Sequence, residues 1–285
     1  MPTTTKSSID LEGVTVRYRM TGDGPDVVFV HGVWVGGALW DDVAERLTDM
    51  RRIVPTWPLG AHADPAPRAD LSARATARRI PELLEALDLR DVTLVANDTG
   101  GGLCLAALGT GHPGLQRIGR LVLTNCDSYE HFPPKGFDKM VAVTRRSSLL
   151  GSALLRFFAS PVGRWVFLKG GCTAPPTGAR ARAIFEAFPT STATREDALR
   201  VTQSLEPSVT LDAVDALRSF PKPVLLAWGT DDKLFPLDHA RRLAADFPDA
   251  RLDPIDGARL FSMLDHSDEL ASKITAFVRD ATNSA

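Results

Sequence analysis

Residues 95–102 read VANDTGGG and place one carboxylate among small residues, between an apolar run typical of a strand and another typical of a helix. Small neighbours suit a sharp, crowded strand-to-helix turn of the kind that carries catalytic nucleophiles. A carboxylate such as Asp98, with an ordinary pKa of about 3.9, is ionised at neutral pH and attacks without a base. Attack on an sp3 carbon that bears a leaving group would give an alkyl-enzyme ester. The alternative is that Asp98 only caps the following helix.

Predicted strands and predicted helices alternate along the chain on both sides of this turn. Residues 8–20 alternate apolar and polar side chains with a period of two, which is typical of half-buried antiparallel strands. Residues 26–30 and 92–95 are continuous apolar runs, as in strands covered on both faces. Helical spacing connects such runs, including 72–87, where Pro81 should delay the start of the helix or kink it. The pattern predicts a mostly parallel sheet with helices on both faces and a ligand site at the carboxyl ends of the strands.

One long segment interrupts the alternation. Residues 128–220 contain no convincing strand, several helical stretches and proline-marked loops. We therefore expect a core built from residues 1–128 and 221–285, with residues 129–220 inserted after the sixth strand as a helical cap. Such a cap would lie over the carboxyl ends of the strands, so the residues directly after each strand are the candidates for chemistry.

Four motifs occur in chain order after predicted strands. They are HG followed by GxxW from His31 to Trp40, NDTGG around Asp98, WGTDD followed by FP from Trp228 to Pro236, and FSMLDHSDEL near the end of the chain. In this order the chain resembles α/β-hydrolase-fold proteins of the haloalkane dehalogenase and epoxide hydrolase branch, over nearly its full length.

The resemblance implies a role for several residues. Asp98 would be the nucleophile, and the backbone N–H groups of Val33 and Thr99 would hold the oxyanion. Asp232 matches the usual acid position, with Asp127 as the alternative that some members use; Asp231 and Asp232 could instead form a solvated turn. In the family a histidine after the last strand activates water, but the alignment of the FSMLD run puts Leu260 at that place. Leucine cannot accept a proton, so the second, hydrolytic step is in question.

Other histidines are candidates for the missing base. His62 is the strongest, because its loop follows the fourth predicted strand. It should lie at the carboxyl edge of the sheet, beside the strand-to-helix turn at Asp98, which we call the elbow. His131 at the start of the cap and His266 six residues beyond Leu260 are weaker alternatives. The remaining histidines are expected to brace the oxyanion loop, cap a helix or lie on the surface: His31, His112 and His239.

The electrophile is less well defined. Dehalogenases carry a halide-binding Trp directly after the nucleophile, where this chain has Thr99, so that Trp34 would be one donor of an incomplete pair. Epoxide hydrolases use two cap tyrosines, and this chain has only Tyr18 and Tyr129. We expect a small, largely apolar substrate and a pocket lined by cap aromatics, for which the candidates are Phe132, Phe137, Phe157, Phe158 and Trp165. The alternatives to a hydrolase are a lyase or isomerase with Asp98 as general base, and a ligand-binding relative that has lost turnover.

Composition limits the binding partners, cofactors and cellular location that we expect. The 285 residues carry 33 Lys and Arg against 35 Asp and Glu, a net charge of −2, which favours neither a nucleic-acid nor a membrane partner. Three separated cysteines and no paired histidine spacing argue against a disulfide framework or a metal site, and no motif calls for a cofactor. The N-terminus lacks an apolar signal segment, so we expect a cytoplasmic protein, monomeric or homodimeric.

Overall fold

A computed structural model describes residues 4–283 of the chain, and within that range it contains one eight-stranded sheet. The strands are β1 (Thr4–Leu11), β2 (Val14–Thr21), β3 (Asp26–Val30), β4 (Arg51–Thr56), β5 (Val92–Asp98), β6 (Ile118–Cys126), β7 (Val224–Gly229) and β8 (Ala250–Ile255). Their spatial order is β1-β2-β4-β3-β5-β6-β7-β8. The β1/β2 and β2/β4 pairs are antiparallel and every other pair is parallel. The predicted mostly parallel sheet is confirmed.

The burial of each strand follows its sequence pattern. Every residue of β3, β5, β6 and β7 is buried, because these strands have helices on both faces. Strand β1 lies at the sheet edge and is mostly exposed, as its polar sequence predicts. The four central strands end at one edge of the sheet, and this brings the residues after them together.

Helices connect the strands and fill the long interruption. Their bounds are α1 (Asp41–Arg46), α2 (Ala73–Ala86), α3 (Thr99–Leu108), α4 (Phe137–Arg146), α5 (Ser148–Ala159), α6 (Pro161–Gly171), α7 (Gly178–Phe185), α8 (Thr192–Ser204), α9 (Ser208–Leu211), α10 (Val214–Arg218), α11 (Leu237–Asp246), α12 (Ser262–Asp265) and α13 (Ser267–Asn283), with two 3-10 helices at Gly37–Trp40 and Pro113–Arg117. Helices α4 to α10 all lie between β6 and β7, in residues 127–223, which we call the insertion. The helical stretches predicted within this segment, at residues 149–158, 180–188 and 195–205, correspond to α5, α7 and α8; the sequence pattern did not predict α4, α6, α9 or α10.

Helix α2 corrects one expectation. It begins at Ala73, directly after Ser72, whose side chain accepts a hydrogen bond from the Ala75 N–H. Pro81 therefore does not delay the start of the helix and lies inside it. The buried face that includes Ile80, Leu83 and Leu84 packs into the core and outweighs the loss of one backbone hydrogen bond at the proline.

The core contains all three cysteines as free thiols. Cys104 lies in α3, Cys126 ends β6 and Cys172 follows α6, and each is at most 1 % exposed. Burial raises the pKa of all three thiols. In residues 4–283, no helix combines the length and the apolar composition needed to cross a membrane.

Candidate active site

Asp98 occupies a strained turn between β5 and α3. Its backbone has φ 54° and ψ −138°, a conformation that side chains other than glycine rarely adopt. The turn needs small neighbours: a methyl group on Gly100 would lie 2.8 Å from the Val30 carbonyl oxygen, and one on Gly32 would collide with the Asp98 carboxylate. The side chain of Asp98 makes no capping hydrogen bond to α3. The alternative that Asp98 merely caps the helix therefore lacks the contact that it requires.

The loop after β3 faces the Asp98 carboxylate and is held by His31. The Nε2 atom of His31 accepts from the Trp57 N–H at 2.8 Å, so its Nδ1–H donates to the Gly32 carbonyl oxygen, also at 2.8 Å. Burial lowers the pKa of His31 to about 4, and the ring stays neutral. The next residue, Val33, has a backbone N–H with no hydrogen-bond partner among the described residues, whereas the N–H of Trp34 donates to the Leu59 carbonyl oxygen.

Three carboxyl groups surround this loop and the start of α3. Burial is the main cause that raises the pKa of Asp98 to about 7, and the charge of Asp232 adds to it, while the Thr99 N–H opposes the rise. Asp127 is 1 % exposed, and burial together with the charge of Asp98 raises its pKa far above the ordinary value. Burial therefore disfavours the ionised form of Asp98, on which the expectation of unaided attack rests.

Asp232 lies after β7, on the opposite side of Asp98 along the sheet from β3. One of its oxygens accepts from the Leu234 N–H at 2.8 Å, and the other is buried without a partner among the described residues. Burial raises its pKa to about 6. The neighbouring Asn125 fixes the end of β7, because its side chain accepts from the Gly229 N–H and donates to the Gly229 carbonyl oxygen. Asp232 is thus a buried group and does not lie in a solvated turn.

The loop that carries Leu260 reaches the elbow. The side-chain amide of Asn97, the residue before Asp98, donates to the Leu260 carbonyl oxygen at 2.8 Å. Leu260 is 5 % exposed, and its Cβ packs near Gly171 of the insertion. The backbone is therefore fixed where the family's histidine would begin, and an apolar side chain occupies the position.

His62 is buried, and its hydrogen-bond partners are Asp197 of the insertion and Gly60 of its own loop. Its Nε2 lies 3.1 Å from Oδ2 of Asp197 in α8, and its Nδ1 accepts a long 3.4 Å bond from the Gly60 N–H. The Ala66 N–H also donates to Asp197 at 2.7 Å, and Arg200 pairs with the other carboxylate oxygen. These contacts join the loop after β4 to the insertion. No hydrogen bond connects His62 to Asp98 among the described residues, and its role as the base stays a prediction.

The other two candidate bases lie in different surroundings. His131 stacks on His239 of α11, with ring centroids 4.2 Å apart, and its Nε2 is 3.6 Å from Glu130. His239 is half-buried and does not lie free on the surface as expected. His266 lies between α12 and α13, where its backbone N–H bonds to the Ser262 carbonyl oxygen. His112 caps its 3-10 helix by accepting from the Gly114 N–H, as expected.

Aromatic rings of the insertion pack on Trp34, in the loop that faces Asp98. The indole of Trp34 lies 5.1 Å, centroid to centroid, from both Phe137 and Phe158, and 6.1 Å from the stacked ring of Phe188. Its ring N–H donates to the Thr202 hydroxyl at 3.1 Å, so the halide-donor role predicted for Trp34 would require that bond to break. Two other expected pocket residues, Phe157 and Trp165, are 46 % and 53 % exposed and do not line a buried pocket.

Sequence reasoning missed two polar residues that shape the site. Asn97 connects the elbow to the loop after β8, and Asp197 holds His62. Asn97 stands next to Asp98 in the motif, so its position was visible although its acceptor was not. Nothing in the spacing of Asp197 distinguishes it from an exposed helical carboxylate. Within residues 4–283 there is no cluster of His, Cys, Asp and Glu suited to a metal ion.

Comparison with known proteins places these features in a family. The model of the alpha/beta hydrolase family matches residues 27–273. The chain is 27 % identical over 258 residues to the non-heme chloroperoxidase CPO-A1 of Kitasatospora aureofaciens, covering 87 % of this chain and 89 % of that one. It is 23 % identical over 280 residues to the 2-hydroxy-6-oxo-6-phenylhexa-2,4-dienoate hydrolase of Comamonas testosteroni, covering 96 % and 94 %.

A solved structure gives the same fold. The haloalkane dehalogenase DbeA from Bradyrhizobium elkani superposes with a TM-score of 0.83 at 18 % identity, covering 99 % of this chain and all of that one. An identity this low establishes the architecture only, because one fold serves many chemistries. With its eight-stranded sheet, its strained elbow and a family match over most of its length, the chain belongs to the alpha/beta hydrolase family.

Proposed function

We propose that the protein is a hydrolase-type enzyme in which Asp98 attacks a small, largely apolar electrophile. The observation that carries the proposal is the strained backbone of Asp98, since a rare conformation is maintained at a buried carboxylate that caps nothing. The insertion acts as a cap, and its aromatic rings exclude water from the site.

The first step needs only the groups at the elbow. One oxygen of ionised Asp98 attacks an sp3 carbon, a new C–O bond forms, and the leaving group departs with the electron pair of the broken bond. An alkyl halide fits this step with halide as the leaving group, and an ester-like substrate fits it when the alkyl C–O bond breaks and the acid anion leaves. In an epoxide the ring C–O bond breaks, and its oxygen stays on the product as an alkoxide that takes a proton from water. Because the pKa of Asp98 is about 7, the attacking form increases as the pH rises through neutrality.

The second step is the attack of water on the ester carbonyl. The oxyanion would be stabilised by the N–H groups of Val33 and Thr99, and Val33 supports this role because its N–H is unengaged. His62 is the histidine that we propose as the base, with Asp197 as its orienting carboxylate, although an Nδ1 bonded to Gly60 first has to be released. We therefore expect ester formation to outpace ester hydrolysis.

A second candidate function has support from one observation. A carboxyl group with a pKa of about 7 is well matched to a general base at neutral pH, as in a lyase or an isomerase. Such an enzyme would remove a proton next to a carbonyl group and form no covalent bond to Asp98.

Intact-mass spectrometry separates these functions. The protein and its Asp98→Asn variant are incubated with panels of haloalkanes, epoxides and activated esters, and the mass of the protein and the released product are recorded. We expect a covalent adduct on the unmodified chain and none on the isosteric variant. Deuterium incorporation from solvent into a carbonyl ligand, without an adduct, would favour the general-base function. Neither adduct nor exchange across the panels, together with ligand binding detected by a thermal shift, would favour a ligand-binding relative without turnover.

A further inference from the structure

The insertion carries a cluster of apolar side chains that face outward. Of the nine large apolar side chains exposed in the described part of the chain, seven lie on α4, α5 and α6. We call these seven the apolar face: Val143, Leu149, Leu150, Phe157, Val162, Trp165 and Val166. Contiguous exposed apolar surface of this kind is uncommon on a monomer and marks an interaction site.

The spacing along α5 and α6 shows that the exposed apolar residues form a stripe on each helix. On α6, Val162, Trp165 and Val166 have the i, i+3, i+4 spacing of one helical stripe, the pattern that a globular protein normally turns inward. On α5, Leu149, Leu150 and Phe157 point to solvent, while a separate stripe that includes Leu155 is buried. Helices α5 and α6 are separated only by Ser160 and pack against each other, so their exposed stripes belong to one region of the insertion.

Positive charge accompanies the apolar face. Residues 135–171 carry seven basic side chains and one acidic one, a net charge of +6, while the whole chain carries −2. Arg156 lies within the exposed arc of α5, and Lys169 continues the exposed stripe of α6. Among the described residues, only Arg145 of these seven forms an ion pair, with Glu206 at 3.8 Å. The expectation of no membrane partner was based on the near-zero net charge of the whole chain. That net charge does not show that basic residues are concentrated in residues 135–171.

Apolar side chains flanked by unpaired Lys and Arg are the chemistry that an anionic lipid surface recognises. We propose that α4, α5 and α6 dock the protein peripherally on an anionic bilayer, with the apolar face entering the interface and the basic residues contacting lipid headgroups. A second copy of the chain fits less well. A two-fold contact would bring two segments of net charge +6 together, and outside the apolar face only Leu211 and Leu234 of the described large apolar residues are exposed.

Tryptophan fluorescence provides a site-specific measurement. Four of the five tryptophans are 0 % exposed, and Trp165 at 53 % is the only exposed one. The protein is titrated with vesicles of phosphatidylcholine alone and with vesicles that contain about one third phosphatidylglycerol, at low ionic strength. We expect a blue shift of emission and quenching by brominated lipid with the anionic vesicles only, and reversal by salt.

Variants connect binding to the apolar face and to its charge. We expect L149S/L150S and R146E/R156E, both of which keep Trp165, to bind anionic vesicles at least tenfold more weakly in co-sedimentation. The matched control, L211S/L234S, removes exposed apolar side chains elsewhere and should bind like the unmodified protein. Thermal unfolding checks that each variant is folded.

Three outcomes would overturn the proposal. One is the absence of binding to anionic vesicles at low ionic strength, and another is equal binding by the face variants and the control. The third is concentration-dependent dimerisation, measured by sedimentation velocity, that L149S/L150S abolishes, since it would show that a second copy covers the face.

Discussion

The pKa values of two buried aspartates of this protein are shifted in opposite directions. Asp98 lies among other carboxyl groups, and burial together with the charge of Asp232 raises its pKa to about 7. Asp197 is also buried in the fold, yet its pKa is lowered: the cost of burial is overcome by the hydrogen bond with His62, by the Ala66 N–H and by Arg200. Burial alone therefore does not decide the state of a carboxylate, because its partners do.

The comparison separates a carboxylate with a structural role from the one that we propose to react. Asp197 has partners for both oxygens and joins the insertion to the core, whereas Asp98 has a strained backbone and is left free to react. The comparison also indicates what a histidine beside Asp98 would add. Asp197 has an imidazole within hydrogen-bond distance, and no such contact to Asp98 occurs among the described residues.

The largest change is expected from Leu260→His. The Leu260 backbone is held by Asn97, so the imidazole would start from a fixed position beside the carboxyl cluster. A base within reach of the ester should speed its hydrolysis by roughly a hundredfold. The decay of the Asp98 adduct is followed by intact mass, with Leu260→Asn as a polar control without a base. Equal decay in both variants would mean that position 260 does not face the ester.

His62→Ala tests the other half of the comparison. It leaves Asp197 buried with Arg200 as its only charged partner among the described residues, and we expect a loss of about 2 kcal/mol in the free energy of unfolding, measured by urea denaturation. The double variant H62A/D197N should recover part of this loss. If His62 is also the base, the adduct forms at its normal rate but no longer decays. A variant of unchanged stability would contradict the importance of this pair.

The smallest effect is expected from Asp232→Asn. The charge of Asp232 contributes to the raised pKa of Asp98, so removing it should move the midpoint of the pH profile for adduct formation to lower pH. The unmodified chain should react faster as the pH rises through about 7, because ionised Asp98 is the attacking form. Single-turnover rates from pH about 5 to 9 measure both midpoints. As a matched control, Asp231→Asn changes an exposed neighbour and should leave the midpoint in place.

Sequence patterns predicted the sheet and the elbow because both depend on local signals. Continuous apolar runs identified β3 and β5, and small residues around Asp98 identified the turn. The patterns did not predict the partners of His62, since Asp197 lies 135 residues further along the chain and only the folding of the insertion brings it there. The raised pKa of Asp98 could not be predicted from the sequence either. It depends on the burial of Asp98 and on its proximity to Asp232, and only the tertiary structure determines both.

The buried cysteines provide separate labels for two parts of the molecule. Cys104 and Cys126 lie in the sheet core beside the elbow, and Cys172 lies in the insertion, where its carbonyl oxygen accepts from Arg259. A thiol reagent reaches each only when the surrounding structure opens. Modification of Cys172 ahead of the other two would show that the insertion opens around it while the core stays folded, and its rate would measure how often that opening occurs.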